Sequence, residues 1–248
     1  MSYQRLVIAY LLVFILAQAV FAAFPGIDLA VSRLFAVEGG GFTWATGPGR
    51  TINLTLRRLG EIVTLILILA YLAGLFLSRF RGDDLRLVAY PVLSVALASG
   101  VIANLLLKHH VGRARPDTLA EFGGTADFSP AWQVVQECVR NCSFTSGEVA
   151  LAAGLALPIL AILWPHLTRR GARLLAIGAA VGYIALVSLL RIGLGRHFLS
   201  DAVFSVLFGA GAALALYPVL RIDAARRHLP QWVERRSRPQ SGERRGVH

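Results

Sequence analysis

The chain has 248 residues, of which 56% are hydrophobic and only 16% charged, and its mean hydropathy is +0.61. Soluble domains carry about 25% charged residues, so composition excludes an ordinary soluble globular protein and indicates a membrane protein. The formal net charge of +11 could suit nucleic acid, yet an arginine-rich tail holds many of the basic residues. Solvation beside anionic lipid accounts for them there, and no nucleic-acid partner is expected.

Six apolar segments follow one another: Leu6–Phe24, Ile62–Leu77, Leu87–Leu107, Val149–Trp164, Leu174–Leu190 and Ala202–Leu220. A helix needs roughly 17–25 apolar residues to cross a bilayer; the second and fourth segments gain length from flanking residues such as Gly60, Ser78 and Leu167. In lipid only a helix satisfies its own backbone within one segment. The predicted fold class is therefore all-α, a polytopic six-transmembrane-helix bundle over residues 1–225. The basic remainder, 226–248, reads as a disordered cytoplasmic tail.

The first segment contains Ala17-Gln18-Ala19, which is like a signal-peptidase site. Because the apolar run continues to Phe24 and five more spans follow, an uncleaved first helix is the favoured reading. In "FPGIDLAVSRLFAV", Ile27, Val31 and Leu34 recur at helical spacing with Asp28, Ser32 and Arg33 off the stripe. That predicts a short helix lying in the membrane interface, and "VEGGGFTWATGPG" after it reads as loop. The N-terminus, second loop, fourth loop and tail hold fifteen of the 25 basic residues, the other loops ten. The positive-inside rule then puts both termini in the cytoplasm and the long first and third loops outside. Cys138 and Cys142 lie in that third loop, where disulfides persist. Within one helical turn their Cα atoms would stand about 6 Å apart, a span a bridge accepts, so a disulfide is favoured over two free thiols.

Three clusters fall at helix ends on the outward side: "LLLKHHVGRARP" closes the third span, "TSGE" opens the fourth, and "LLRIGLGRHFLSDA" joins the fifth to the sixth. Each has a plain explanation. Lys108 could snorkel, His197 could be an interfacial histidine, Asp201 could cap a helix, and Thr145 with Glu148 could form a capping box. Together they have a chemical logic. Arginine and lysine suit phosphate oxygens, and Ser146 and Gly147 stand at a helix start, where free N–H groups bind anions. His197 and Asp201 share a helix face. An aspartate taking the Nδ1 proton would fix the tautomer and leave Nε2 free to attack.

Read as K-x6-R-P, S-G and R-x5-H-x3-D, the residues Lys108, Arg115, Pro116, Ser146, Gly147, Arg191, His197 and Asp201 resemble the three-part signature of the type 2 phosphatidic acid phosphatases, and the likeness covers most of the chain. The resemblance implies a membrane lipid phosphatase. His197 would form a phosphohistidine, Asp201 would orient it, and Lys108, Arg115, Arg191 and the backbone of Ser146 and Gly147 would hold the phosphate, with no metal or cofactor. It further implies a bacterial inner membrane, a periplasmic active site and a membrane lipid phosphate as partner. Thr145 stands where the family has proline, Leu190 where it has serine, and Glu148 where it has the histidine that protonates the leaving group. Glu148 is therefore the candidate acid, which requires that burial and nearby phosphate keep it protonated; His109 or His110 could supply the proton instead. The "NCSFTSGE" form looks like a bacterial branch that includes lipid A phosphatases. Lipid A, polyprenyl diphosphate, phosphatidylglycerol phosphate and phosphatidic acid are the candidate substrates, and Phe122, Phe128 and Trp132 could line a lipid entrance or anchor the loop. A phosphotransferase of the same family is the alternative, a non-enzymatic lipid transporter or scaffold the alternative of another class. A haloperoxidase-like vanadate site shares the signature but belongs to soluble proteins.

Overall fold

The computed structural model describes residues 2–76 and 82–228, and among these all regular structure is helical. Six helices are long and apolar enough to cross a membrane: α1 (Tyr3–Ala23), α3 (Gly47–Phe76), α4 (Asp83–His110), α5 (Gly147–Leu163, continued by a turn to His166), α6 (Arg170–Gly193) and α7 (Leu199–Val219). A short helix α2 (Gly26–Arg33) follows the first span, and α8 (Ile222–Ala225) follows the last.

Helices α5 and α7 form the centre, and small side chains let them approach. A Cβ at Gly209 would lie 2.5 Å from the Ala153 Cβ, and one at Gly154 would lie 3.2 Å from the Val95 Cα of α4. In lipid, where neighbouring tails are as apolar as the helices, such close backbone contact drives association. By contrast α1 is peripheral, held to α7 by Phe14 against Phe204 and Phe208. Over Ala96–Leu107 the backbone of α4 widens to π-helical geometry, an irregularity that often accompanies functional sites.

Three expectations change. The second spanning helix begins at Gly47, well before the apolar run. Its polar first turns, including Arg50, Asn53 and Arg57, line a cleft instead of ending the helix, which hydropathy could not reveal. The short helix α2 is present but buries polar residues as well as apolar ones: Asp28 and Ser32 are its buried residues, Ile27 and Val31 pack half-buried against the core, and Leu34, just past its end, is 77% exposed. At the other end, Arg226–His228 form a turn docked on the bundle. Arg226 Nη1 donates to the Ala161 carbonyl at 2.8 Å, and the His166 ring meets the Arg226 carbonyl at 2.8 Å. The remainder of the proposed tail lies outside the described residues.

Tyr3 stacks on Tyr217, so the start of α1 meets the end of α7. The signature residues lie at the opposite end of the bundle, where α4 and α6 finish and α5 and α7 start.

Candidate active site

Near that end a cleft of about 680 Å³ opens among α3, α4, α5 and α6, and Lys108, Arg115, Gly147, Glu148, Arg191 and His197 line it. Residues separated by up to 89 positions in the chain thus converge, as the signature predicts. The R-x5-H-x3-D spacing is a helix end, a turn and a helix start. Arg191 is in the last turn of α6. Gly195 then adopts φ +68°, the left-handed conformation that ends helices with little cost only for glycine. A side chain there would also strike the Phe42 ring, 2.3 Å from its Cβ. The turn folds back so that the N–H groups of Arg196 and His197 both donate to the Arg191 carbonyl, at 3.0 and 3.3 Å. Asp201 then sits in the first turn of α7 and accepts the Phe198 N–H at 2.8 Å.

His197 is 1% exposed. Its Nδ1 lies 2.7 Å from the Ser143 carbonyl. A carbonyl only accepts, so Nδ1 carries the proton and Nε2 keeps a free lone pair. Asp201 is not the direct partner that the four-residue spacing predicts: its Oδ2 is 3.6 Å from Nδ1, beyond hydrogen-bond reach. Ser143 links the two: its hydroxyl donates to Asp201 Oδ2 and its carbonyl meets Nδ1. Burial is the main cause that pushes the His197 pKa down to about 3, so the ring is neutral at physiological pH.

Behind His197 lies a closed polar network. The Arg113 side chain is fully buried. It donates from Nη2 to Asp28 at 2.8 Å, from Nη1 to Asp201 at 2.7 Å and to the Ser200 hydroxyl at 2.9 Å, and from Nε to the Ser129 carbonyl at 2.9 Å. The Phe198 ring packs on its guanidinium, 4.1 Å from centroid to Cζ. Asp28 also accepts the Ser200 N–H at 2.8 Å and hydroxyl at 2.5 Å. Burial pushes the Asp28 carboxyl above its ordinary range, and the Arg113 charge opposes that. Three donors aimed at one carboxyl group favour its ionised, acceptor-only form.

In front of His197 the polar groups are less occupied. Among the described residues, Arg115 Nε and Arg191 Nε are buried without a hydrogen-bond partner. Burial, then the neighbouring Arg196, lowers the Arg115 pKa; an anion would oppose both effects. Gly147 opens α5 at the cleft, and a Cβ on it would lie 2.9 Å from Asn104 Oδ1, so a larger residue would displace that amide. Ser146 does not face the cleft: it is fully buried, and its hydroxyl caps α5 by accepting the Val149 N–H at 3.4 Å.

The capping box suggested for Glu148 does not form. Ser146 is the N-cap, so Glu148 is the second helical residue and its carboxylate turns into the cleft. There Oε1 lies 3.1 Å from Arg191 Nη1 and 3.7 Å from Arg57 Nη1. His109 and His110 are exposed and away from the cleft lining, so neither is placed to donate a proton. Phe122, Phe128 and Trp132 are not among the residues lining the cleft. Phe122 packs on Phe42, Phe128 on Phe198, and Trp132 on Phe144 and Phe204. Cys138 and Cys142 are bridged, with Cα atoms 5.5 Å apart. The bridge closes a non-helical turn containing Asn141 at φ +54°, not the helical turn assumed from spacing.

Sequence reasoning passed over Arg113, Asp28, Ser143, Arg57, Arg50 and Arg196. For Arg113 there was a signal, a third cation between Lys108 and Arg115. For Asp28 the signal was an acid inside an otherwise apolar short helix.

Fold and site together describe a membrane protein whose cleft gathers cationic side chains beside a neutral imidazole. Comparison with known proteins agrees. Residues 89–223 match the PAP2 superfamily. Over 220 residues the chain is 30% identical to a lipid A 4'-phosphatase of Rhizobium leguminosarum, covering 79% of this chain and 90% of the relative. The corresponding Rhizobium etli protein is 31% identical over 220 residues, 79% and 82% of the two chains. A lipid A 4'-phosphatase of Francisella tularensis subsp. novicida is 30% identical over 145 residues, which span 58% of this chain and 63% of the relative. Among solved structures, the PAP2-type phosphatidylglycerolphosphate phosphatase of Bacillus subtilis is 20% identical, covering 96% of this chain and 98% of that one with a TM-score of 0.49. The chain belongs to the PAP2 superfamily, and with six spanning helices it is a membrane phosphatase of that family.

Proposed function

We propose that this membrane phosphatase removes a phosphate monoester from a glycolipid of the lipid A type at the extracytoplasmic surface of a bacterial inner membrane. One observation carries the reading: two buried guanidinium N–H groups without partners, on Arg115 and Arg191, share a cleft with a neutral imidazole whose Nδ1 proton is committed elsewhere. Lys108, Arg115, Arg191 and the free N–H groups at the start of α5 hold the phosphate oxygens, where preorganised charge contributes most to catalysis. His197 Nε2 attacks phosphorus, and an N–P bond forms as the ester P–O bond breaks. The departing oxygen takes a proton from Glu148. Water then attacks the phosphohistidine, releases inorganic phosphate, restores Nε2 and returns a proton to Glu148.

At rest Glu148 is held to Arg191. A phosphate dianion competes for the same guanidinium and frees the carboxyl to face the departing oxygen. The lipid A preference rests on the names of the relatives. The outward orientation rests on the loop charges and on a disulfide in the loop nearest the cleft.

The test is phosphate release by purified protein in detergent, with a chelator present, from lipid A, phosphatidylglycerol phosphate, polyprenyl diphosphate and phosphatidic acid. Lipid A is expected to lose phosphate fastest, with none released by His197→Ala. Faster turnover of a glycerolipid would replace the substrate, and release that survives His197→Ala would remove the mechanism.

A further inference from the structure

Asp28 has no place in the steps above, yet it is almost fully buried and bonded to the same arginine as Asp201. We infer that Asp28 is a positioning residue for His197: it neutralises Arg113, so that the charge of Asp201 acts on the imidazole instead of being cancelled.

The inference rests on the proposed histidine nucleophile, and the argument for it is electrostatic. As Nε2 bonds to phosphorus, the imidazole gains positive charge. Two groups can stabilise that charge from behind: the Ser143 carbonyl at 2.7 Å and the Asp201 carboxylate at 3.6 Å. Arg113 lies 2.7 Å from that carboxylate. One cation and one anion in contact in a dry site present little net field to a third group. A second carboxylate on the far side of the guanidinium changes this. Asp28, Arg113 and Asp201, all essentially buried, carry a net charge of one negative, and the Asp201 end of the set is the one beside the ring.

The geometry supports a fixed arrangement. The Ser143 N–H donates to the Arg113 carbonyl at 2.9 Å, so the segment that bears the imidazole's partner is tied to the arginine's own backbone. Asp28 meets both the N–H and the hydroxyl of Ser200, one residue from Asp201. Helix α2 buries Asp28 and Ser32 to deliver this contact.

Vanadate and inorganic phosphate are the probes, measured by titration against the purified full-length protein in detergent. Both occupy an anion site, but only vanadate expands to five-coordination by accepting the Nε2 lone pair, so its affinity reports the nucleophile. Asp28→Asn keeps the shape and removes the charge. It is expected to weaken vanadate binding at least tenfold, to leave phosphate binding within about twofold, and to lower kcat with KM unchanged. Adding Arg113→Gln restores the net negative charge, and Asp28→Asn/Arg113→Gln is expected to bind vanadate more tightly than Asp28→Asn alone. Should Asp28→Asn fail to fold, the double variant is compared with Arg113→Gln. Similar affinity of those two is expected, since without the guanidinium there is no charge for Asp28 to neutralise; a tenfold or larger difference between them would overturn the inference. So would vanadate binding by Asp28→Asn within twofold of wild type, or an equal loss of both anions, which marks a packing role. If the wild-type protein binds neither anion, the phosphate site itself is wrong and the inference goes with it.

Discussion

The two sides of the His197 ring use the same residue types to opposite ends. Behind it, Arg113 has Asp28, Asp201, Ser200 and Ser129 as partners and no exposed surface. In front, Arg115 and Arg191 retain buried Nε groups without partners, and Lys108 faces the cleft. A buried guanidinium whose three nitrogens all have partners is structure, since leaving a buried donor unmatched costs about 1–3 kcal/mol or more. A pair with donors left over is a site awaiting an anion. The contrast separates scaffold from binding surface more cleanly than residue type or burial alone.

Substitutions test whether that division is real. His197→Ala, at the boundary, should have the largest effect: turnover falls to background, on the order of 10⁴-fold or more, and no phosphoenzyme is trapped by rapid acid quench. On the open side, Arg191→Lys or Arg115→Lys should lower kcat/KM by about 10²–10³-fold, since an ammonium cannot reproduce the guanidinium fork. Their melting temperatures should stay near wild type, because the missing partner is substrate and not protein. A melting temperature that falls with activity would make these arginines scaffold. Glu148→Gln should reduce kcat by about 10²-fold, and least for substrates with a good leaving group; equal losses on aryl and lipid phosphates would remove its role as acid.

The closed side has its own signature in pH. His197 is held at about 3 in the folded protein, against about 6.5 for an unperturbed histidine. Between these values the unfolded chain binds a proton that the folded one does not, so stability falls as pH drops from 6.5 toward 3. Thermal melts in detergent across that window should slope less for His197→Gln than for wild type. The smallest effect expected is reduction of the Cys138–Cys142 bridge. For so short a loop the lost constraint is about 2 kcal/mol, and turnover should change little, because the cleft's guanidinium groups lie outside the turn.

What the sequence disclosed followed from chemistry that is local along the chain. Long apolar runs must be helices in lipid, so the six spans were legible. The motif spacings encode helix ends and a glycine turn, so Lys108, Arg115, Gly147, Arg191 and His197 could be placed in one cleft. The rest depends on contacts between distant segments. The stripe of Ile27, Val31 and Leu34 placed Asp28 toward solvent because nothing nearby in sequence announces Arg113, 85 positions on. The polar turns of α3 looked like loop because hydropathy cannot distinguish a face turned to water from one turned to a charged cleft. At the start of α5 a serine can cap the helix or meet an anion, and the hydroxyl of Ser146 serves as the cap.

The burial of Asp28 on α2 bears on how small this enzyme can be made. The segment matching the superfamily begins at residue 89, and a version trimmed to it would keep every signature residue. It would lose Asp28, leaving Arg113 with Asp201 alone of its two carboxylate partners. Anyone transplanting the signature onto a shorter scaffold would need to bring that acid along.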